Sequence, residues 1–169
     1  YTSMPERHVY HLPDGISLKE GALVEPVGTG FYAVRQAEIR MSDNVLIIGT
    51  GPIGLGGVPF ARYSGAKNVI VAGRKPYKLD VAKKLGADVT INTQTEDFYE
   101  RVMEVTDGRG PDVIVETSGS IDMFTQAVKM IAMGGRLSVV AFYDQPVKDL
   151  DIDMLVINDV KIISVMGNL

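Results

Sequence analysis

The sequence predicts a doubly wound α/β domain on a six-stranded parallel sheet, and three observations lead there. Apolar, β-rich runs recur at 45–48, 69–71, 89–91, 113–115, 137–140 and 161–165. They are apolar throughout rather than alternating, which suits strands buried on both faces. Segments of helical character at 52–64, 76–85, 96–105 and 121–132 separate the first five of them.

The punctuation justifies the elements in order. Residues 7–12, RHVYHL, read as a short strand, and Pro13-Asp14-Gly15 as a turn. Ser17-Leu18-Lys19-Glu20 has the capping-box form and starts a helix. Gly28 and Gly30 are expected to interrupt the next apolar stretch, with helix resuming over 31–39. Within 52–64, Gly56, Gly57 and Pro59 are poor helix-interior residues, and Pro59 is expected to kink the helix by removing the bond to Leu55. Gly65 and Gly86 stand where left-handed C-terminal caps belong. Ser120 can cap a helix beginning at Ile121, and Asp107 to Pro111 forms a turn. Residues 1–40 read as a linking segment and 41–169 as the α/β domain.

Composition narrows the function. Of 169 residues, 46% are apolar and 22% charged, as in a globular protein. A net charge of -4 leaves no basic footprint for nucleic acid, so bound phosphate must be held by a local site. There are no cysteines, hence neither disulfides nor thiolate metal ligands. No apolar run approaches the roughly 20 residues that span a bilayer. His8 and His11 lie on opposite faces of the expected strand and do not read as metal ligands. The chain starts at Tyr1 in what reads as mid-protein sequence, so it is expected to be a piece of a longer protein.

Gly49-Thr50-Gly51-Pro52-Ile53-Gly54 fits G-x-G-x-x-G directly after an apolar strand and at the start of a helix. Gly49 permits a tight turn, Gly51 lets backbone approach a pyrophosphate, and Gly54 lets helix and strand pack closely. Amides at the helix start, with the positive end of its dipole, then face the phosphates.

Beyond that fingerprint, the segments 12–35, VLIIGTGPIGL (45–55), AKKLGAD (82–88), GPDVIVETSGS (110–120) and MGGRLSVVAF (133–142) are together specific. In them the chain resembles the cofactor domain of zinc-dependent medium-chain alcohol and polyol dehydrogenases, nearest the sorbitol and threonine dehydrogenase branch. The resemblance implies a Rossmann fold, a preceding segment shared with a catalytic domain, and zinc in the full-length enzyme. It also implies hydride transfer between a nicotinamide cofactor and a small alcohol, polyol or ketone, in a cytoplasmic dimer or tetramer. Glu25, before Pro26, is implied to sit beside the zinc, bound directly or through water, and Thr29 against the nicotinamide. The turn Thr117-Ser118-Gly119 is implied to skirt a ribose. Ala141-Phe142 and Val165-Met166 are implied to meet the carboxamide through main-chain groups. The alternatives are a zinc-free quinone or enoyl reductase of the same superfamily, which Glu25 argues against, or a nucleotide-binding module without catalysis.

The second strand decides the cofactor. Gly73 stands 24 residues past Gly49, where an acid would grip the adenosine ribose and repel a 2′-phosphate. Glycine there gives neither grip nor repulsion, and its missing side chain is expected to leave room. Arg74 follows with a planar fork of donors, and Lys75 and Lys78 add positive charge. The expectation is a preference for NADP(H), with NAD(H) as the alternative.

Overall fold

The computed structural model describes residues 3–148 and 150–167. The six expected strands form: β1 (Asn44–Ile48), β2 (Asn68–Gly73), β3 (Val89–Asn92), β4 (Val113–Glu116), β5 (Arg136–Val139) and β6 (Lys161–Ser164). They make one all-parallel sheet in the order β3-β2-β1-β4-β5-β6. The order reverses between β1 and β4, which opens a crevice at their carboxyl ends. Among the described residues β6 is an edge strand with three of its four residues exposed.

Continuous apolar runs are what this topology needs, because helices cover both faces. Before the sheet come α1 (Leu18–Gly21) and α2 (Val24–Gln36). Next in the chain are α3 (Pro52–Tyr63) and α4 (Pro76–Lys84). On one face, Val45, Ile47, Val69, Val71, Val113 and Val115 pack against α2, α3 and Ala82 of α4. On the other, Leu46, Ile48, Ile70, Ile114 and Leu137 pack against α5 (Phe98–Val105) and α6 (Ile121–Met130). Successive strand residues thus serve opposite cores, and every β1 residue is buried.

The expected caps are present. Ser17 and Glu20 close a reciprocal capping box, and the hydrogen bonds from Ser17 hold the Glu20 carboxyl below its ordinary value. The Ser120 hydroxyl accepts from Met123 N at 3.4 Å. Gly65 and Gly86 take positive φ of 92° and 110° and end α3 and α4.

Two expectations need correction. The 7–12 run is no strand: Glu6–His8 forms a 3-10 turn closed by His8 N to Pro5 O, and the residues after it are exposed and pair with no strand of the described sheet. Gly28 and Gly30 do not interrupt helix, since α2 runs through both. The reason is a close helix crossing: a Cβ on Gly30 would lie 2.4 Å from Ile53 O, and one on Gly56 would lie 2.9 Å from Val27 Cα. The same packing carries α3 through Gly56, Gly57 and Pro59, so tertiary contact outweighs helix propensity. A short helix unread in the sequence, α7 (Ile152–Ile157), is capped by Asp151, which accepts from Met154 N at 3.1 Å.

A buried ion pair ties the segments at the amino ends of the strands. Arg136, 4% exposed, donates to Asp43 Oδ2 at 2.7 Å and to the carbonyls of Ala37 and Glu38 at the end of α2. Asp43 also accepts from Arg40 N at 2.7 Å. Removing one partner of such a pair strands a buried charge, typically at a cost of about 3–5 kcal/mol. Asp43→Asn should therefore lower unfolding stability by roughly that much in urea titrations, and a loss under about 1 kcal/mol would show that water replaces the carboxylate.

Candidate functional site

The crevice at the β1–β4 switch point opens as two clefts, of about 560 and 460 Å³, that share Thr117, Ser118 and Gly119. The glycine loop packs against that shared turn. Gly49 has φ 110°, which favours glycine, and a Cβ there would lie 2.5 Å from Thr117 Oγ1. A Cβ on Gly54 would lie 2.2 Å from Gly49 O and 2.8 Å from the same Oγ1. Thr117 Oγ1 itself donates to Ile48 O at 2.9 Å. The loop, the start of α3 and the end of β4 are thereby locked together.

Gly51, the N-cap of α3, supplies no side-chain cap, and a Cβ there would meet nothing within 4 Å. Pro52 follows at the first helical position and has no N–H. The amides of Ile53 and Gly54 precede the first intrahelical bond, which is Leu55 N to Gly51 O at 2.9 Å. Free amides, an open approach and the helix dipole make this terminus suited to an anionic group.

The larger cleft collects most residues expected at the adenosine end: Gly49, Gly51, Gly73, Arg74, Lys75 and Lys78. Pro52 and Gly54 line neither cleft and act through the turn beside it. Arg74 and Lys75 are exposed and Lys78 is half-buried. None of the three takes part in an ion pair among the described residues. Asp122, a carboxylate lining this cleft, follows β4, two strands away from β2, and accepts from Gln126 Nε2. One expectation is corrected here. The space above Gly73 is not open, because a Cβ there would meet Thr50 Cγ2 at 2.5 Å and Thr50 Oγ1 at 2.7 Å.

The smaller cleft gathers Glu25, Thr29, Ile53, Ala141, Phe142, Val165 and Met166. Glu25 lies in the first turn of α2, where the dipole favours an anion, and Thr29 one turn on donates to Glu25 Oε1 at 3.1 Å. Phe142 and Met166 are 81% and 69% exposed and give the cleft an apolar rim. The described residues contain no group of three or more His, Cys, Asp or Glu that could hold a metal ion. Glu25 brings one carboxylate to this cleft.

The sequence reading missed Glu116, fully buried at the end of β4. Its Oε1 accepts from the Ser118 amide at 2.7 Å and from the Ser118 hydroxyl, and its Oε2 from Tyr143 O–H at 2.5 Å. The Tyr143 ring stands edge-on to Phe124 with centroids 5.7 Å apart. One carboxylate thus holds the turn shared by both clefts and ties it to the segment after β5. An acid closing an otherwise apolar run was the available signal.

Comparison with known proteins agrees with this architecture. The family described as "Zinc-binding dehydrogenase" matches residues 52–169. The chain belongs to that family. A sorbitol dehydrogenase of Bacillus subtilis is 33% identical over 162 residues, covering 96% of this chain and 46% of that protein. An L-threonine 3-dehydrogenase of Pyrococcus abyssi is 36% identical over 157 residues, covering 93% and 44% respectively. The solved alcohol dehydrogenase TADH of Thermus sp. ATN1 superposes with a TM-score of 0.85 at 28% identity, over 94% of this chain and 46% of that one. The chain therefore spans just under half the length of these three proteins. Its parallel sheet and flanking helices are the Rossmann-type arrangement expected. Among the described residues no helix is long and apolar enough to cross a membrane.

Burial first, then the hydrogen bond to Glu116 and its charge, push the Tyr143 phenol well above its ordinary value. The folded protein then keeps this proton where the unfolded chain loses it. The contribution to stability is full below the ordinary phenol pKa of about 10 and falls as pH rises beyond it. Between pH 9 and 11 the urea midpoint should drop more steeply for the wild type than for Tyr143→Phe. Parallel slopes would mean that the phenol titrates freely.

Proposed function

We propose that the chain is the cofactor-binding part of an alcohol or polyol dehydrogenase, and that it takes NADP(H) in preference to NAD(H). The observation that carries the preference is the end of β2, where Gly73 brings no carboxylate and Arg74, Lys75 and Lys78 border the cleft with no ion pair among the described residues. A 2′-phosphate adds about two negative charges, which a guanidinium can meet with two parallel hydrogen bonds. The family membership and the fit of the glycine loop to a pyrophosphate support the remainder of the reading.

In this reading the larger cleft holds the adenosine half and the free amides at the start of α3 hold the diphosphate. The smaller cleft holds the nicotinamide half. When bound, nicotinamide supplies the two-electron redox chemistry. The protein's own residues bind and orient. Thr29 and the segments 141–142 and 165–166 wall the nicotinamide face, and the Glu116-anchored turn sits between the halves. Glu25 contributes one carboxylate to a metal site whose other ligands lie outside these residues.

Charge-assisted hydrogen bonds contribute about 1.5–3 kcal/mol, or roughly ten- to a hundredfold in affinity. Titrated with both reduced cofactors, the chain should bind NADPH the more tightly, with a preference that shrinks as salt rises. Arg74→Ala should weaken NADPH about tenfold or more and NADH by less than threefold. Tighter NADH binding by the wild type would refute the preference.

Glu25 calls for a different measurement. In the full-length enzyme, Glu25→Ala should cut kcat much more than cofactor affinity, since the carboxylate faces the smaller cleft away from the β2 cations. Equal losses would place Glu25 in a structural role. The 169-residue chain alone should bind cofactor yet turn over no alcohol. Turnover by that chain would show that it carries a complete active site.

A further inference from the structure

The loop and the end of β2 contact each other at one point that the glycine pattern does not reveal. A Cβ built on Gly73 lies 2.5 Å from Thr50 Cγ2, 2.7 Å from Thr50 Oγ1 and 3.2 Å from Thr50 Cβ. Both branches of the threonine therefore crowd the place a side chain at position 73 would need. Thr50 is only 9% exposed, and a β-branched residue is stiff about χ1.

The backbone cannot easily give way either. Gly49 N donates to Ala72 O at 2.9 Å, pinning the loop to β2 immediately beside Thr50. On the other side, Thr93 N donates to Gly73 O at 3.0 Å, pinning Gly73 to the segment after β3. Gly73 and Asn92 are also partners in the ladder. The two chains are held at a separation set by hydrogen bonds on both flanks.

We infer that Thr50 is a specificity-determining residue. Its branched side chain fills the β-carbon position above Gly73 and so bars the carboxylate that would grip an unphosphorylated ribose. This deepens the proposed NADP(H) preference and rests on it. That preference then has two parts: the cations of 74, 75 and 78, and a steric block built into the variable position of the phosphate loop. Changing residue 73 alone does not convert the site. Position 50 must shrink first.

Two double-mutant cycles test this with the purified chain. The first uses Gly73→Ala, alone and with Thr50→Ala, and reads only Tm. With Thr50 present, Gly73→Ala should lower Tm by roughly 5 °C, the effect of forcing a methyl into a packed site. In the Thr50→Ala background the same change should shift Tm by no more than about 1 °C. Equal shifts in both backgrounds would overturn the inference, because the crowding would then be relieved by other means.

The second cycle uses Gly73→Asp and reads NADH affinity. Gly73→Asp alone should gain less than about twofold, whereas in the Thr50→Ala background it should gain about tenfold. A tenfold gain from the single substitution would overturn the block. Titrating wild type and Thr50→Ala with NADPH separates the two proposals. If wild type prefers NADH, the cation reading fails, while the first cycle still decides whether Thr50 excludes a side chain at 73.

Discussion

The seating of α3 against the ends of β1 and β4 is the constraint from which the rest of the structure follows. It requires that Gly54 carry no side chain, because Gly49 O and Thr117 Oγ1 occupy that space. Once α3 sits that close, its amino end, capped by Gly51, lies at the switch point of the sheet. The second helix crosses onto α3 by the same device, with Gly30 against Ile53 O and Gly56 against Val27. That crossing delivers Glu25 and Thr29 to the smaller cleft. Close approach repeated at successive glycines thus builds first a helix terminus suited to an anion and then the wall beside it.

Two buried polar clusters stabilise opposite ends of the sheet. At the amino ends, Arg136 and Asp43 join β5 to the loop leading into β1 and to the end of α2. At the carboxyl ends, Glu116 holds the turn after β4 and reaches Tyr143 beyond β5. A buried charge is costly unless its hydrogen bonds are satisfied. The Arg136 pair secures the frame away from the clefts, whereas Glu116 shapes the turn that both clefts share.

The larger cleft is electrostatically asymmetric. Its β2 side carries Arg74, Lys75 and Lys78 in a chain whose net charge is -4, so the positive field there is local. A local charge acts on a phosphate through hydrogen-bonded contact within a few ångströms, which salt screens less than a long-range field. Thr50 then matters as a neighbour of those cations, since it governs whether a competing carboxylate has a place to stand.

Patterns confined to one segment were legible in the sequence. The six strands, the helices between the first five of them, the caps at Ser17, Ser120, Gly65 and Gly86, and the glycine fingerprint all follow from apolar periodicity and turn chemistry that neighbouring residues express by themselves. Gathering the expected cofactor residues at one edge also follows, because a doubly wound sheet places every strand end on the same side. Wherever the outcome depended on contact between distant segments, the sequence misled or was silent. Gly30, Gly56 and Gly57 look like helix breakers until α2 and α3 are seen to cross through them. Glu116 looks like an ordinary acid until Tyr143 and Ser118 close around it. The run at 7–12 has strand character but no neighbour to pair with, and a strand without a partner does not form. Gly73 reads as an empty place until Thr50, 23 residues earlier in the chain, is found inside it. Local periodicity selects the elements, and only packing decides which spaces between them are filled.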